Sequence, residues 1–191
     1  MPQPRPEVLD FLRTRRSRSA RTLSAPAPDR TEIEGLLEAA ARSPDHGMLV
    51  PWRFLVLSGD ALQRLARAVE ARGRALDKPE GDIEKARANF ANAPLIVAVV
   101  VSPKPSRKIP LLEQTLSAGA VCLSLLNAAL ASGWGANWIT GWPAHDRGFL
   151  DLLGCGAEEF VAGFVHIGTE TVVPAERERP DIAAITDWVS A

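Results

Sequence analysis

Residues that commonly form metal sites, disulfide frameworks and surfaces for polyanions are scarce in this sequence. Its 191 residues include two cysteines, three histidines and no tyrosine. Cys122 and Cys155 lie in apolar or glycine-flanked stretches without the spacing of metal ligands, which favours buried free thiols over a disulfide or a zinc site. The formal net charge is only −1. Because phosphate contacts need a pronounced excess of Lys and Arg, this balance argues against a nucleic-acid-binding protein.

A secretory leader and a clear membrane span are also lacking. Residues 1–16 contain neither a continuous apolar region nor a small-residue cleavage site, so we expect a cytoplasmic protein. The longest apolar stretch covers residues 111–135 and is interrupted by polar residues at Glu113, Gln114, Ser117, Ser124 and Asn127. We therefore predict a core helix that packs on several sides, including a subunit interface, and no contact with a membrane.

Catalytic dyads and nucleotide-binding loops are a third absence. The sequence contains no G-x-S-x-G motif and no cysteine with a plausible general base beside it. His145 and His166 are not paired with a second histidine at helical spacing, which gives metal binding little support. The stretch GWGANWITG follows a predicted helix rather than a strand and lacks the last glycine of a dinucleotide-binding loop. We therefore assign no catalytic residue and no metal ligand from the sequence.

What the sequence does contain indicates one globular domain. It is 46% hydrophobic and 24% charged, which is typical of a soluble domain with a single core. We take residues 1–191 as that domain, with a C-terminal tail from about residue 172 to residue 191. The tail is polar, yet it carries Ile182, Ile185, Trp188 and Val189. Because such side chains are costly to leave in water, the tail is predicted to dock on the core or on a partner subunit.

Hydrophobic periodicity predicts helices separated by short strands. Helices are expected at 7–14, from a capping box of Thr31 and Glu34 to Ser43, from residue 60, at 82–91 and through the long apolar stretch. Strands are expected at 53–57, 94–101 and 160–169. The run PLIVAVVV at 94–101 is uninterrupted and rich in β-branched residues, which predicts a central strand buried on both faces.

Several short motifs follow one another in a fixed order. Arg15-Arg16-Ser17 comes directly after the first helix, and SPDHGMLVPWRF at 43–54 ends a helix, bends and enters a strand. EQTLSAGA opens the long helix, GWGANWITG leaves it, GFVHIGT forms a late strand and ERERP lies near the C-terminus. Each motif alone is weak, since a basic run is usually a solvated surface. The ordered set, from about residue 7 to residue 188, resembles the FMN-dependent nitroreductase family, and RSPDHGMLVPWRF resembles its short YdjA-like branch.

The resemblance implies a phosphate site at the first motif. It assigns Arg15, Arg16 and Ser17 to the FMN phosphate and ribityl chain, joined by Arg179 or, as the alternative, by Arg177. The chemistry agrees, because the planar fork of a guanidinium suits a phosphate.

The resemblance also implies how the flavin ring is held. The residues assigned to the isoalloxazine are Trp138, Ile139, Thr140 and Gly141. Arg42 and His46 are assigned to the flavin of the second subunit, while Trp52 is interpreted as a core residue behind the bend.

From the resemblance we expect an α+β fold with a mixed central sheet flanked by helices, and an obligate homodimer with FMN at its interface. The implied activity transfers a hydride from NADH or NADPH through the flavin to a nitroaromatic, a quinone or a similar small acceptor. A specialised flavin reductase or dehydrogenase with a non-nitro substrate is one alternative. A flavin-free dimeric binding protein on the same fold is another.

The sequence departs from the family pattern at three positions. Met48 and Val50 stand where many members carry Asn and Gln, and neither side chain can hydrogen-bond the flavin edge. Ile139 stands where a relative would have a basic residue, which removes a charge that could stabilise the reduced flavin. These changes are expected to lower nitroaromatic turnover or to alter the preferred substrate.

Overall fold

The computed structural model describes residues 3–190 of the chain, in which six α-helices and five strands follow one another. The helices are α1 (Pro6–Thr14), α2 (Arg30–Ala40), α3 (Asp60–Ala75), α4 (Glu80–Ala91), α5 (Leu111–Ala131) and α6 (Arg147–Leu152). The strands are β1 (Leu23–Ser24), β2 (Trp52–Ser58), β3 (Leu95–Val101), β4 (Gly135–Ile139) and β5 (Phe160–Glu170). The predicted strands β2, β3 and β5 are thus present, while β1, β4 and α6 were not predicted.

The five strands form one sheet with the order β1-β5-β3-β2, and β4 pairs with β5 as well. Every residue of β3 is buried, which confirms the predicted central strand. All pairings among the described residues are antiparallel, so the expected mixed sheet is wrong for the single chain. The reason is connectivity. Between β2 and β3 the chain passes through two helices, α3 and α4, and the two strands pair antiparallel. Strands β3 and β4 run in the same direction, but each pairs with β5 and they do not pair with each other.

The sheet separates two hydrophobic clusters, because successive side chains of a strand point to opposite faces. On one face Val97 and Val99 pack against α2 and α5. On the other face Ile96 and Ala98 pack against α3, α4 and α6. The sheet is therefore covered by helices on both sides.

The start of α2 corrects one sequence prediction. Asp29 caps the helix by accepting a hydrogen bond from the backbone N–H of Glu32 at 2.9 Å, and the Glu32 carboxylate accepts from the N–H of Asp29 at 2.9 Å. The predicted capping box of Thr31 and Glu34 lies two residues too late. Both pairs have the required spacing, so the motif alone does not distinguish them.

Helix α5 is long and apolar enough to cross a membrane by length and composition, with a mean hydropathy of 1.4. The prediction that its polar residues would disqualify it on composition is therefore wrong. Its inner face nevertheless belongs to the core, where Val121, Cys122 and Leu125 are fully buried. Its outer face exposes Leu112 by 69% and Leu116 by 64%, so α5 is a core helix with an uncovered apolar side.

An ion pair joins β2 to the loop that precedes β5. Arg53 donates from Nε and Nη2 to the two carboxylate oxygens of Glu159, at 2.8 and 2.7 Å. This bidentate hydrogen bond holds the pKa of Glu159 at about 2, well below its ordinary value near 4.5. Since the folded pKa is depressed, the pair stabilises the fold at pH values above 4.5, and this stability is lost as the pH falls towards 2.

Replacing Glu159 with glutamine should lower the melting temperature at pH 7, because the charge-assisted pair contributes up to about 3 kcal/mol. The difference from the wild type should shrink as the pH is lowered from 5 to 2, since the native carboxylate is then protonated. Thermal unfolding followed by circular dichroism across this pH range checks the prediction. A difference that stays constant with pH would contradict it.

Candidate functional site

Four arginines from two distant parts of the chain meet beside β4, and we call them the arginine cluster: Arg15, Arg16, Arg18 and Arg179. Glu176 joins the two parts, because its Oε1 accepts from Arg16 Nη1 at 3.1 Å and from Arg179 Nη2 at 3.0 Å. The backbone N–H of Arg18 donates to the carbonyl of Ala136 in β4 at 2.8 Å, which fixes the loop after α1 against the sheet. The structure thus brings the first and last predicted phosphate ligands together.

Arg15 carries the unmet hydrogen-bonding capacity of this cluster. Its Nη2 donates to Ser17 Oγ at 3.2 Å, whereas its Nε is buried without a partner among the described residues. Burial, together with the charges of Arg179, Arg16 and Arg18, lowers the pKa of Arg15. A bound anion would relieve both the repulsion and the missing hydrogen bond. The residues present therefore fit a phosphate group.

The two alternatives in the tail differ in their contacts. Arg179 pairs with Glu176 and lies close enough to Arg15 to affect its pKa. The side chain of Arg177 makes no hydrogen bond or ion pair within residues 3–190, and only its backbone N–H is engaged, with Glu176. These contacts favour Arg179 over Arg177 as the phosphate ligand.

A cavity of about 400 Å³ opens between α4 and the loop after β4. One wall of this cavity is formed by three consecutive residues, Ile139, Thr140 and Gly141. Gly141 has a φ of +85°, a conformation that favours glycine and turns the chain away from the strand. Three of the four residues predicted for the flavin ring therefore share one cavity.

The wall formed by α4 contains polar residues that the sequence analysis missed, beside the apolar Ala86 and Phe90. Asp82, Lys85 and Asn89 line the cavity from α4. Their spacing of three and four residues places them on one side of the helix, while Ile83, Ala86 and Phe90 are buried. This spacing was a usable signal, but only the tertiary structure shows that this side faces Ile139.

His166 forms part of the floor of the same cavity, next to Phe164. It is buried, and burial lowers the pKa of its imidazole to about 4. The imidazole is therefore neutral at neutral pH and offers one donor and one acceptor. Trp142 also lines the cavity, and its indole Nε1 is buried without a partner among the described residues.

Trp138 does not line this cavity. Its Nε1 lies 3.4 Å from the carbonyl of Ala162, and its ring covers Gly163. A Cβ added to Gly163 would collide with that ring at 1.9 Å, so glycine is required beneath it. Because side chains of a strand alternate, Trp138 and Ile139 project from opposite faces of β4. The structure thus separates Trp138 from the other three predicted ring contacts.

The bend before β2 is fixed by two residues one turn apart on α5. The Nδ1 of His46 lies 3.0 Å from Glu113 Oε1, and Ser117 Oγ donates to the carbonyl of Pro44 at 2.7 Å. Trp52 is buried and donates from its indole to Ser117 Oγ at 3.2 Å, as expected for a core residue that anchors the bend.

Arg42 and His46 lie outside the cavity of their own chain. Both are exposed, and neither lines the cavity or contacts the arginine cluster. They can therefore contribute to a flavin site only if it belongs to a second copy of the chain.

Three segments of the chain each expose several large apolar side chains. They are Val8, Leu9 and Leu12 on α1, Leu112 and Leu116 on α5, and Ile182, Ile185, Trp188 and Val189 in the tail. The tail does not bury these side chains on its own core, so its predicted docking on a partner subunit stays a prediction. Extended apolar surface of this kind is typical of an interface.

Comparison with known proteins gives consistent matches. The family model described as "Nitroreductase family" matches residues 12–169. A protein of Escherichia coli strain K12, named "Putative NAD(P)H nitroreductase YdjA", is 33% identical over 163 residues, which cover 85% of this chain and 88% of that protein. A nitroreductase-like family protein from Bacillus cereus has a similar structure, with a TM-score of 0.83 at 20% identity over 100% of both chains.

A nitroreductase with bound FMN from Bacteroides fragilis NCTC 9343 is also similar in structure. Its TM-score is 0.74 at 21% identity, over 96% of this chain and 99% of that chain. Together with the Bacillus cereus structure, it confirms the expected α+β fold. The family match includes every candidate site residue except Arg179, which lies beyond residue 169.

Proposed function

Because this chain belongs to the nitroreductase family, we propose that it transfers electrons from NADH or NADPH, through FMN, to a small acceptor such as a quinone or a nitroaromatic. The chain is a flavin-dependent oxidoreductase. The proposal also includes NADH or NADPH as the electron donor, the class of acceptor, a homodimer and a cytoplasmic location. The observation that carries it is the buried, unpartnered Nε of Arg15 inside the arginine cluster.

The chain's own residues bind and orient the cofactor. When bound, FMN supplies the redox chemistry, since it can accept a hydride from a nicotinamide and pass electrons to a second substrate. Arg15, Arg16, Ser17 and Arg179 would hold the phosphate through charge-assisted hydrogen bonds. No general acid or base from the protein is needed for the hydride transfer itself, which agrees with the lack of a catalytic dyad.

The cavity beside β4 would hold the ring system. Ile139, Thr140 and Gly141 form one wall, and Lys85 stands in the opposite wall. Lys85 brings a positive charge into this wall, in which the carboxylate of Asp82 also stands, whereas Ile139 carries no charge. This placement supports electrostatic stabilisation of a reduced flavin by α4 instead of by the loop after β4.

Purification and reduction test the proposal. The protein is expected to be yellow, to contain one FMN per chain, and to lose its oxidised-flavin absorbance when NADH or NADPH is added without oxygen. A colourless protein that does not bind added FMN would favour the flavin-free binding protein. A flavin that is reduced but passes electrons to no nitro compound would favour the specialised reductase.

His46 is expected to act on the acceptor side of the reaction. His46→Ala should lower acceptor turnover about 5–30-fold or weaken FMN binding, since it removes a hydrogen bond of about 1–2 kcal/mol from the partner's site. Reduction of the flavin by the nicotinamide should persist, because hydride transfer depends on orientation. Anaerobic stopped-flow traces, compared with steady-state turnover on a quinone, separate the two steps.

His145→Ala is the matched control for this substitution, because His145 is exposed and lies in the turn before α6. It should leave both steps unchanged. If His46→Ala also changes neither step and FMN affinity is unaltered, His46 has only a structural role in the turn.

A further inference from the structure

The turn before β2 holds a backbone conformation that side chains rarely adopt. Gly47 has a φ of +74°, Met48 a φ of +52° and Val50 a φ of +48°. Glycine and asparagine adopt this left-handed region at the least cost, whereas a β-branched residue such as Val50 is a clear outlier. The two apolar residues therefore stand where their own backbone is strained.

Hydrogen bonds around the turn hold it in this conformation. The carboxylate of Asp45 accepts from the N–H of Val50 at 2.6 Å, and its carbonyl accepts from the N–H of Met48 at 3.3 Å. Ser117 fixes the carbonyl of Pro44, one residue earlier, from α5. The surroundings thus determine the backbone whatever side chains stand at 48 and 50.

Met48 gains almost no packing from its own chain in return, and Val50 gains only part of what a buried valine would. Met48 is 87% exposed and Val50 is 49% exposed. Strain together with exposure of an apolar side chain gives no stability to a single subunit. Backbone strain of this kind concentrates at functional sites, which directs the search for a role outside the subunit.

The position of the turn indicates where that role lies. Through His46 and Glu113 the turn contacts the first turns of α5, the helix that exposes Leu112 and Leu116. The turn therefore borders the apolar surface that we propose as the subunit interface. In a homodimer formed through this surface, Met48 and Val50 would lie at the interface together with His46.

Resting on the proposed function, we propose that Met48 and Val50 are specificity-determining residues that form an apolar wall of the partner's acceptor site. This wall favours flat acceptors with alkyl substituents over equally sized acceptors with an amide. A thioether and a branched alkyl group cannot replace the water that an amide loses when it binds, but they pack well against a methyl group.

Two nitroaromatic compounds with the same reacting group test this specificity: 4-nitrotoluene and 4-nitrobenzamide. The measured quantity is the ratio of their kcat/KM values for the FMN-loaded protein. Val50→Asn and Met48→Asn should each lower this ratio about tenfold, because a polar side chain then accepts the amide and packs less well against the methyl group. FMN content, measured by absorbance, should stay at one per chain.

The melting temperature gives a second readout, which does not depend on turnover. Val50→Asn should raise it by about 2–4 °C, because asparagine relieves the left-handed strain. Val50→Ile keeps both the strain and the apolar surface, so it should raise neither the melting temperature nor the preference for the amide.

Asp77→Gly provides a matched control for strain relief alone. Asp77 has a φ of +48° and lies exposed between α3 and α4, outside the proposed site. Its replacement should raise the melting temperature and leave the acceptor ratio unchanged. An unchanged ratio in both asparagine variants overturns the proposal, as does a Val50→Asn variant that melts below the wild type. An FMN-loaded wild type that reduces neither these compounds nor a quinone contradicts the proposed function itself, and this is seen before any variant is made.

Discussion

Arg15→Ala is expected to release FMN from a protein that stays folded. The substitution removes a guanidinium whose Nε is buried without a partner and whose neighbours are Arg16, Arg18 and Arg179. Each charge-assisted hydrogen bond to a phosphate contributes about 1.5–3 kcal/mol, so the Kd for FMN should rise about 10–150-fold or more. In the FMN-free protein, removal of the Arg15 charge also lowers the electrostatic repulsion within the arginine cluster. The apoprotein of the variant should therefore be as thermally stable as the wild-type apoprotein. Fluorescence titration with FMN and thermal unfolding of the apoprotein measure the two effects.

Three further alanine variants test whether the loss of FMN binding is specific to the arginine cluster. Arg13→Ala removes an exposed arginine of α1, two residues away, and should leave FMN binding unchanged. Arg179→Ala should weaken binding, while Arg177→Ala should not, because only Arg179 pairs with Glu176 beside Arg15. Stoichiometric FMN in purified Arg15→Ala would remove the phosphate site from this cluster. If Arg177→Ala weakens FMN binding and Arg179→Ala does not, Arg177 is the phosphate ligand from the tail and the rest of the assignment is unchanged.

The sequence predicts best the elements whose pattern is long and unmixed. The uninterrupted run at 94–101 became β3, and the apolar stretch from residue 111 became α5. Strand β4 was missed because its five residues have no alternation strong enough to stand alone. It becomes a strand by pairing with β5 over its whole length. Its side chains then point to opposite faces, which explains why Trp138 and Ile139 do not share one cavity.

The candidate site was only partly predictable for a similar reason. The proposed phosphate ligands lie in short basic motifs, and the order of those motifs in the chain was enough to propose them. Lys85 and Asn89 lie on a helix with no distinctive motif, and only the tertiary structure brings them to the same cavity as Ile139. The left-handed turn at Met48 and Val50 was also hidden, since neither residue type favours that conformation. Local propensity there gives way to the hydrogen bonds from Asp45 and Ser117.

The wild-type protein is expected to be an obligate dimer, with twice the chain mass of 20.6 kDa in light scattering. The single chain leaves apolar side chains of α1, α5 and the tail in water, among them Leu112, Leu116 and a Trp188 that is 90% exposed. Exposed apolar side chains in this number are typical of a subunit interface. The turn that carries His46 contacts the first turns of α5 through Glu113. Burial of the surface between two copies would therefore also place His46 at the subunit interface.

Leu116→Glu should dissociate this dimer. Burying a leucine contributes about 2 kcal/mol, and the two-fold symmetry of a homodimer counts each substitution twice, so the dimer Kd should rise about 1,000-fold even before the cost of burying a charge. Because the proposed flavin site takes residues from both subunits, FMN should be lost together with the dimer. Leu152→Glu is the control, since Leu152 is 61% exposed at the end of α6, on the other side of the sheet, and its replacement should leave both mass and FMN unchanged. A stable wild-type monomer that retains FMN would contradict the shared site, because the residues of one chain would then be sufficient to hold the flavin.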